Sequence, residues 1–203
     1  MANVSHIDLS ETLTYEEVGK IEQAIAHYAV LVFRDQPLTD DQHADFARRF
    51  GPIDKGLTKG SKGKRRLKNP DVIDLANVDD EGDVLAAENI RNVSLIANQF
   101  WHSDSSFKMP SAKYSLLFAC VLPKTGGETE FADARAAYDA LPASTVADLD
   151  GLFAEHSAFH SRQQLGDQQY SPADVAKYPS VKWPLVRTHP GSGRKVRFIG
   201  AVS

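Results

Sequence analysis

The chain has 203 residues, 42% hydrophobic and 25% charged, a profile that predicts one globular domain with a real core. A net charge of −4 argues against nucleic acid or an anionic membrane as a partner. No apolar run approaches the length that spans a bilayer, and Met1-Ala2-Asn3-Val4-Ser5-His6 has no signal-peptide pattern.

Residues 4 to 9 alternate in polarity and predict a short strand. Thr14, with Glu17 three residues on, predicts a capped helix start. That helix would bury Val18, Ile21, Ile25 and Tyr28. The β-branched run Ala29 to Phe33 predicts a buried strand that stops at Arg34-Asp35-Gln36-Pro37. Thr39-Asp40-Asp41-Gln42 opens a second helix, with Phe46 and Phe50 on its inner face and Gly51-Pro52 as its end. Residues 55 to 68 then carry Lys55, Lys59, Lys62, Lys64, Arg65, Arg66 and Lys68 among glycines. They read as a solvated loop, or as a lid that offers a cation to an anionic substrate. No aromatics interleave them, which argues against a nucleic-acid patch. Asp71 to Asn77 predicts a strand, and residues 78 to 92 an acidic connection.

The run Ala112 to Leu122 is the strongest strand pattern in the chain. It contains the single cysteine, Cys120, expected as a buried reduced thiol of a cytoplasmic protein. Pro123 to Gly127 predicts a turn, Glu128 to Ala132 a strand, and Asp133 caps a helix through Ala134, Ala137 and Leu141. Residues 144 to 152 predict a helix with Val146, Leu149 and Leu152 inward. Residues 161 to 182 read as a long loop. Trp183 to Arg187 and Lys195 to Gly200 predict two strands joined by a hairpin at His189-Pro190-Gly191-Ser192-Gly193.

Chemistry concentrates in Asn98-Gln99-Phe100-Trp101-His102-Ser103-Asp104-Ser105-Ser106-Phe107. On an extended segment, His102 and Asp104 point the same way and can share one metal ion. With a second His from elsewhere they would form a two-His-one-carboxylate triad, which leaves positions on Fe(II) for an organic cosubstrate and O2. Phe100, Trp101 and Phe107 would wall a pocket, and Asn98 would orient a ligand. The plainer reading of an isolated His-x-Asp is a polar surface pair.

Trp101-His102-Ser103-Asp104, then Gly126-Gly127-Glu128-Thr129 and the Arg135 to Leu141 helix, resemble the taurine and 2,4-D dioxygenase family. Ala136-Ala137-Tyr138-Asp139-Ala140-Leu141-Pro142 and Trp183-Pro184-Leu185-Val186-Arg187-Thr188-His189 resemble its 2,4-dichlorophenoxyacetate (aryloxyalkanoate) branch. The resemblance runs from near residue 6 to the end of the chain. It implies a mixed α+β, mostly β fold: a double-stranded β-helix (jelly roll) core with flanking helices. It implies an Fe(II)- and 2-oxoglutarate-dependent oxidoreductase that uses O2 on a small anionic organic substrate. In this branch an aryloxyalkanoate is hydroxylated beside its ether oxygen and splits to a phenol and an oxo acid, with succinate and CO2. The resemblance makes His102 and Asp104 iron ligands, Thr129 and Asn98 cosubstrate residues, and Lys59 a substrate residue.

It also implies a distal His ligand, then an Arg for the far carboxylate of 2-oxoglutarate. Downstream of Thr129 the sequence has His156, His160 and His189, none followed by an Arg at the family's spacing. Residues 1–203 are therefore expected to be the N-terminal portion of one dioxygenase domain. Its jelly roll would be incomplete at the C-terminus, inactive in this form, and prone to associate into a homo-oligomer through open sheet edges. The alternatives are a rearranged core in which His156, His160 or His189 completes the site, the same chemistry on a sulfonate or other anion, and a binding module without catalysis.

Overall fold

A short parallel pair starts the fold: β1 (Ala2–Val4) lies beside β2 (Leu31–Phe33), with Asn3 opposite Val32. The computed structural model describes residues 1–54, 66–79, 81–86, 89, 95–166 and 171–200. Between β1 and β2 runs α1 (Tyr15–Tyr28), and α2 (Asp40–Arg48) follows. Both begin at the predicted capping boxes. Thr14 Oγ1 accepts from Glu17 N at 3.2 Å while the Glu17 carboxylate accepts from Thr14 N at 2.8 Å, and Thr39 and Gln42 repeat the exchange. Each box satisfies backbone donors that the first helical turn otherwise leaves open.

Val18 and Ile21 of α1 and Phe46 of α2 pack with Leu9 and Leu13 as the buried core. Phe33, Phe50 and Leu116 close over it, and Phe46 meets Phe50 edge-on at 5.2 Å. Ile25 is half-buried and Tyr28 exposed, so the buried stripe of α1 is shorter than predicted. The strand predicted from Ala29 starts at Leu31, because Ala29 takes φ 65° as the C-cap of α1 and donates to Ile25 O. The strand predicted over residues 4 to 9 likewise ends at Val4, and His6 has φ 60°.

Three further predictions are corrected. Asp71 to Asn77 is irregular. Asn69 Oδ1 accepts from Asp71 N, and Arg48 holds the Asp71 carboxylate at 2.5 Å, so local side chains take the groups a ladder would use. Residues 161 to 182 are not one loop. They include parts of α5 (His160–Gln164) and β4 (Val181–Pro184) and all of α6 (Pro172–Lys177), which Ser171 and Asp174 cap reciprocally. The inward helix over residues 144 to 152 is α4 (Ala143–Leu149). It has no buried residue and ends before Leu152, which leads into β3 (Phe153–His156).

The remaining strands form two antiparallel pairs. β3 pairs with β4, and β5 (Val186–Thr188) pairs with β6 (Lys195–Arg197) across the predicted hairpin. Trp183 to Arg187 is thus split between two sheets at the buried Leu185. Leu185 N donates to Leu152 O and its carbonyl accepts from Phe198 N, both at 2.8 Å. The helix that Asp133 caps, α3 (Ala134–Asp139), rests on β6, and Arg194 pairs with Asp139 at its end. Among the described residues the fold is mixed helix and strand, with three separate two-stranded sheets.

Residues 113 to 118 alternate as a strand does, although they have no ladder partner among the described residues. Tyr114, Leu116 and Phe118 turn toward the helices; Lys113, Ser115 and Leu117 are exposed on the other face. Phe50 meets Tyr114 at 5.6 Å, and His43 meets Phe118 at 5.8 Å. The second half of the run has no covering layer among these residues: Val121 and Leu122 are exposed, and Cys120 is exposed rather than buried as expected. Residues 128 to 132 are exposed and extended without assigned pairing.

Candidate metal centre

The segment around His102 is irregular through Ser103 and then turns, with Ser105 at φ 52° and Ser106 N donating to Ser103 O. The turn is held from several directions. Ser105 Oγ donates to Asp54 Oδ2 at 2.5 Å, and Lys108 pairs with the same carboxylate. Trp183 Nε1 of β4 donates to Ser106 O at 2.8 Å, and Ser106 itself is buried. Gly200, just beyond β6, lies so close to the backbone of Trp101 and His102 that a Cβ there would meet His102 Cα and Trp101 O at 2.9 Å. Only glycine permits that approach.

This support brings His102 Nε2 to 3.2 Å from Asp104 Oδ1. The other ring nitrogen, Nδ1, lies 2.6 Å from Phe100 O. With Nδ1–H donating to that carbonyl, Nε2 is the nitrogen turned to Asp104: protonated, it donates to the carboxylate, and deprotonated it offers the lone pair of a metal-binding imidazole. Two ligands at right angles on one ion, each about 2.1 Å from it, stand about 3 Å apart. The observed separation therefore fits adjacent positions on a single divalent metal. Asp104 Oδ2 accepts from Ser115 Oγ at 2.5 Å. The His102 hydrogen bond holds the Asp104 carboxyl below its ordinary value; partial burial opposes this and the Ser115 hydroxyl supports it.

The pair lines a cleft of about 100 Å³ together with Asn98, Phe107, Ser157 and Ser161. Asn98 is thus where a ligand could meet it. Of the three aromatic walls expected, Phe107 lines the cleft, whereas Phe100 and Trp101 are largely exposed. Thr129 is exposed on the extended segment before α3 and is not among the residues lining the cleft. Lys59 lies outside the described residues, as does most of the basic stretch around it.

No third His, Cys, Asp or Glu joins the pair among the described residues. His156 is buried and stacks on Phe198 at 5.1 Å, and burial pushes its imidazole toward the neutral form. His160 is exposed beside Gln164, and His189 Nδ1 accepts from Ser192 N within the hairpin.

A family model described as Taurine catabolism dioxygenase TauD, TfdA family matches residues 2–202. The chain belongs to the TauD, TfdA dioxygenase family. One TauD, TfdA relative, the alpha-ketoglutarate-dependent 2,4-dichlorophenoxyacetate dioxygenase of Cupriavidus pinatubonensis (strain JMP 134 / LMG 1197), is 51% identical over 200 residues. That alignment covers 98% of this chain and 70% of the relative. The enzyme of the same description from Burkholderia sp. (strain RASC) is 48% identical over 201 residues, covering 99% and 68%. Among solved structures, AAD-2 in complex with Mn(II) and N-oxalylglycine superposes with a TM-score of 0.86 at 40% identity, covering 98% of this chain and 69% of that one.

Three supports of the site in this TauD, TfdA chain escaped sequence reasoning. Ser115 carries a weak signal, the one serine in the apolar run Tyr114 to Leu122. Gly200 and Trp183 carry none, since their importance lies in a long-range approach that periodicity does not encode.

Proposed function

We propose that this protein is an Fe(II)- and 2-oxoglutarate-dependent dioxygenase that hydroxylates an aryloxyalkanoate such as 2,4-dichlorophenoxyacetate. The observation that carries the reading is the 3.2 Å placement of His102 Nε2 against Asp104 Oδ1 in the lining of a cleft. The family membership and the two 2,4-dichlorophenoxyacetate dioxygenase relatives support it.

In this reading His102 and Asp104 hold the iron, and a third His ligand lies outside this chain. When bound, Fe(II) with 2-oxoglutarate and O2 supplies the oxidising power, and the co-products are succinate and CO2. The chain's own residues do the placing. Phe100 O orients the imidazole, Trp183 and Gly200 fix the backbone of the turn, and Asn98 and Thr129 bind the cosubstrate. A threonine hydroxyl suits that task, because it donates to a carboxylate without adding charge. Lys59 meets the carboxylate of a small anionic substrate. Hydroxylation beside the ether oxygen gives a hemiacetal, which splits to a phenol and an oxo acid. The architecture in this reading is a jelly-roll core with flanking helices, and residues 1–203 are part of one such domain.

The test is succinate and phenol release that depends on Fe(II), 2-oxoglutarate and an aryloxy acid. It is measured on this chain and on a version extended to the length of its relatives. Turnover of a sulfonate but of no aryloxy acid overturns the substrate assignment. Full activity in Asp104→Ala overturns the iron assignment.

A further inference from the structure

We infer that Ser115 is a positioning residue that fixes Asp104 as a one-oxygen metal ligand. The inference rests on His102 and Asp104 being the metal pair. A carboxylate has two oxygens and can present one or both to a cation. Here the two are divided. Oδ1 faces His102 Nε2 at 3.2 Å, and Oδ2 accepts from Ser115 Oγ at 2.5 Å. A hydroxyl donating to a charged carboxylate at that distance makes a strong, short hydrogen bond. It directs Oδ2 away from the ion, and one coordination position that a two-oxygen carboxylate would fill stays open for cosubstrate.

The hydroxyl is held by the fold rather than by its own side chain. Period-two alternation over residues 113 to 118 sends Tyr114, Leu116 and Phe118 toward α1 and α2 and puts Ser115 on the opposite face. Phe50 on Tyr114 and the core contact of Leu116 fix the strand on both sides of Ser115. Serine has a single side-chain torsion before its oxygen, so the fixed strand fixes the donor. The Asp104 carboxylate accepts this bond from a segment that is not its own, so its rotation is set independently of the His102 turn.

The experiment is a Mn(II) titration of the version extended to the length of its relatives, followed by electron paramagnetic resonance, which reads free metal directly and needs no turnover. Wild type is compared with Ser115→Ala, Ser115→Thr, Ser115→Val and His102→Ala, each checked by thermal unfolding. The expected result is a loss of affinity of about 10- to 100-fold in Ser115→Ala, as for other residues that orient metal ligands, with Thr close to wild type and Val like Ala. Thr and Val have the same shape and differ in the hydroxyl, so that pair decides the matter even if Ala unfolds. Equal affinity in wild type, Ala and Val overturns the role of Ser115 and leaves the metal pair standing. Equal affinity in wild type and His102→Ala overturns the metal pair, and the role of Ser115 with it.

Discussion

Gly200 is the position where one added methyl tests the whole arrangement. In Gly200→Ala the new Cβ meets His102 Cα and Trp101 O at 2.9 Å. Ordinary carbon contacts lie near 3.5–4.0 Å, so one backbone must move by roughly 0.6–1.1 Å. Overpacking of this kind costs about 1–3 kcal/mol. Metal-ligand distances tolerate only about 0.2 Å of error, so displacement of the His102 backbone is expected to weaken Mn(II) binding on the order of tenfold. Urea denaturation measures the first effect and a Mn(II) titration the second. Gly19→Ala is the control, because a Cβ there meets nothing within 4 Å and its site is inside α1. It is expected to stabilise the protein by about 0.5–1 kcal/mol through helix propensity and to leave metal binding unchanged. Full Mn(II) affinity in Gly200→Ala, whatever its stability, would refute the argument that the segment after β6 sets the position of His102.

Thr14→Ala removes the oxygen that accepts from Glu17 N and should cost about 1 kcal/mol in urea denaturation; Thr39→Ala should cost a similar amount at α2. Trp183→Phe keeps a ring beside Phe198 but loses the donor to Ser106 O, and should lower stability by about 1 kcal/mol while loosening the His102 turn. Asp133 gives a pH signature. Arg135, whose guanidinium is buried and donates to both oxygens, holds the Asp133 carboxyl at about 2 against an ordinary 3.8. The unfolded chain therefore takes up the proton first. The stabilisation is complete above about pH 4 and is lost as pH falls through about 2. Asp133 is more than a third exposed, so its share is discounted to under about 1 kcal/mol. An Asp133→Asn variant whose acid unfolding curve matches wild type would rule the linkage out.

What could be read from the sequence was local. Thr14 with Glu17 and Thr39 with Gln42 are complete capping signals within four residues, and both helices start there. Ser171-Pro172-Ala173-Asp174 is an equally complete signal, and α6 begins on it, although a polar composition with Pro172 and Pro179 suggested a loop. Strands were harder, because β propensity does not say where a partner will lie. Phe153–His156 pairs with a segment beyond residue 180, whereas the more apolar run at Ala112 finds no ladder among the described residues. For the site, the period-two spacing of His102 and Asp104 predicts two groups on one face, and the two lie 3.2 Å apart. The hydroxyl on Asp104 comes from a separate segment 11 residues on, and the indole behind Ser106 and the glycine against His102 come from distant parts of the chain, which no spacing rule reaches.

That distance has a consequence for how the molecule is made. Trp183 lies 77 residues after the Ser106 carbonyl it holds, and Gly200 lies later still. At about 5–20 residues per second, a ribosome needs roughly 4–15 s to go from one to the other. Throughout that interval the emerging polypeptide lacks the indole and the glycine that hold the turn after His102. If His102 and Asp104 hold iron as proposed, capture of the ion waits at least until synthesis has passed residue 200.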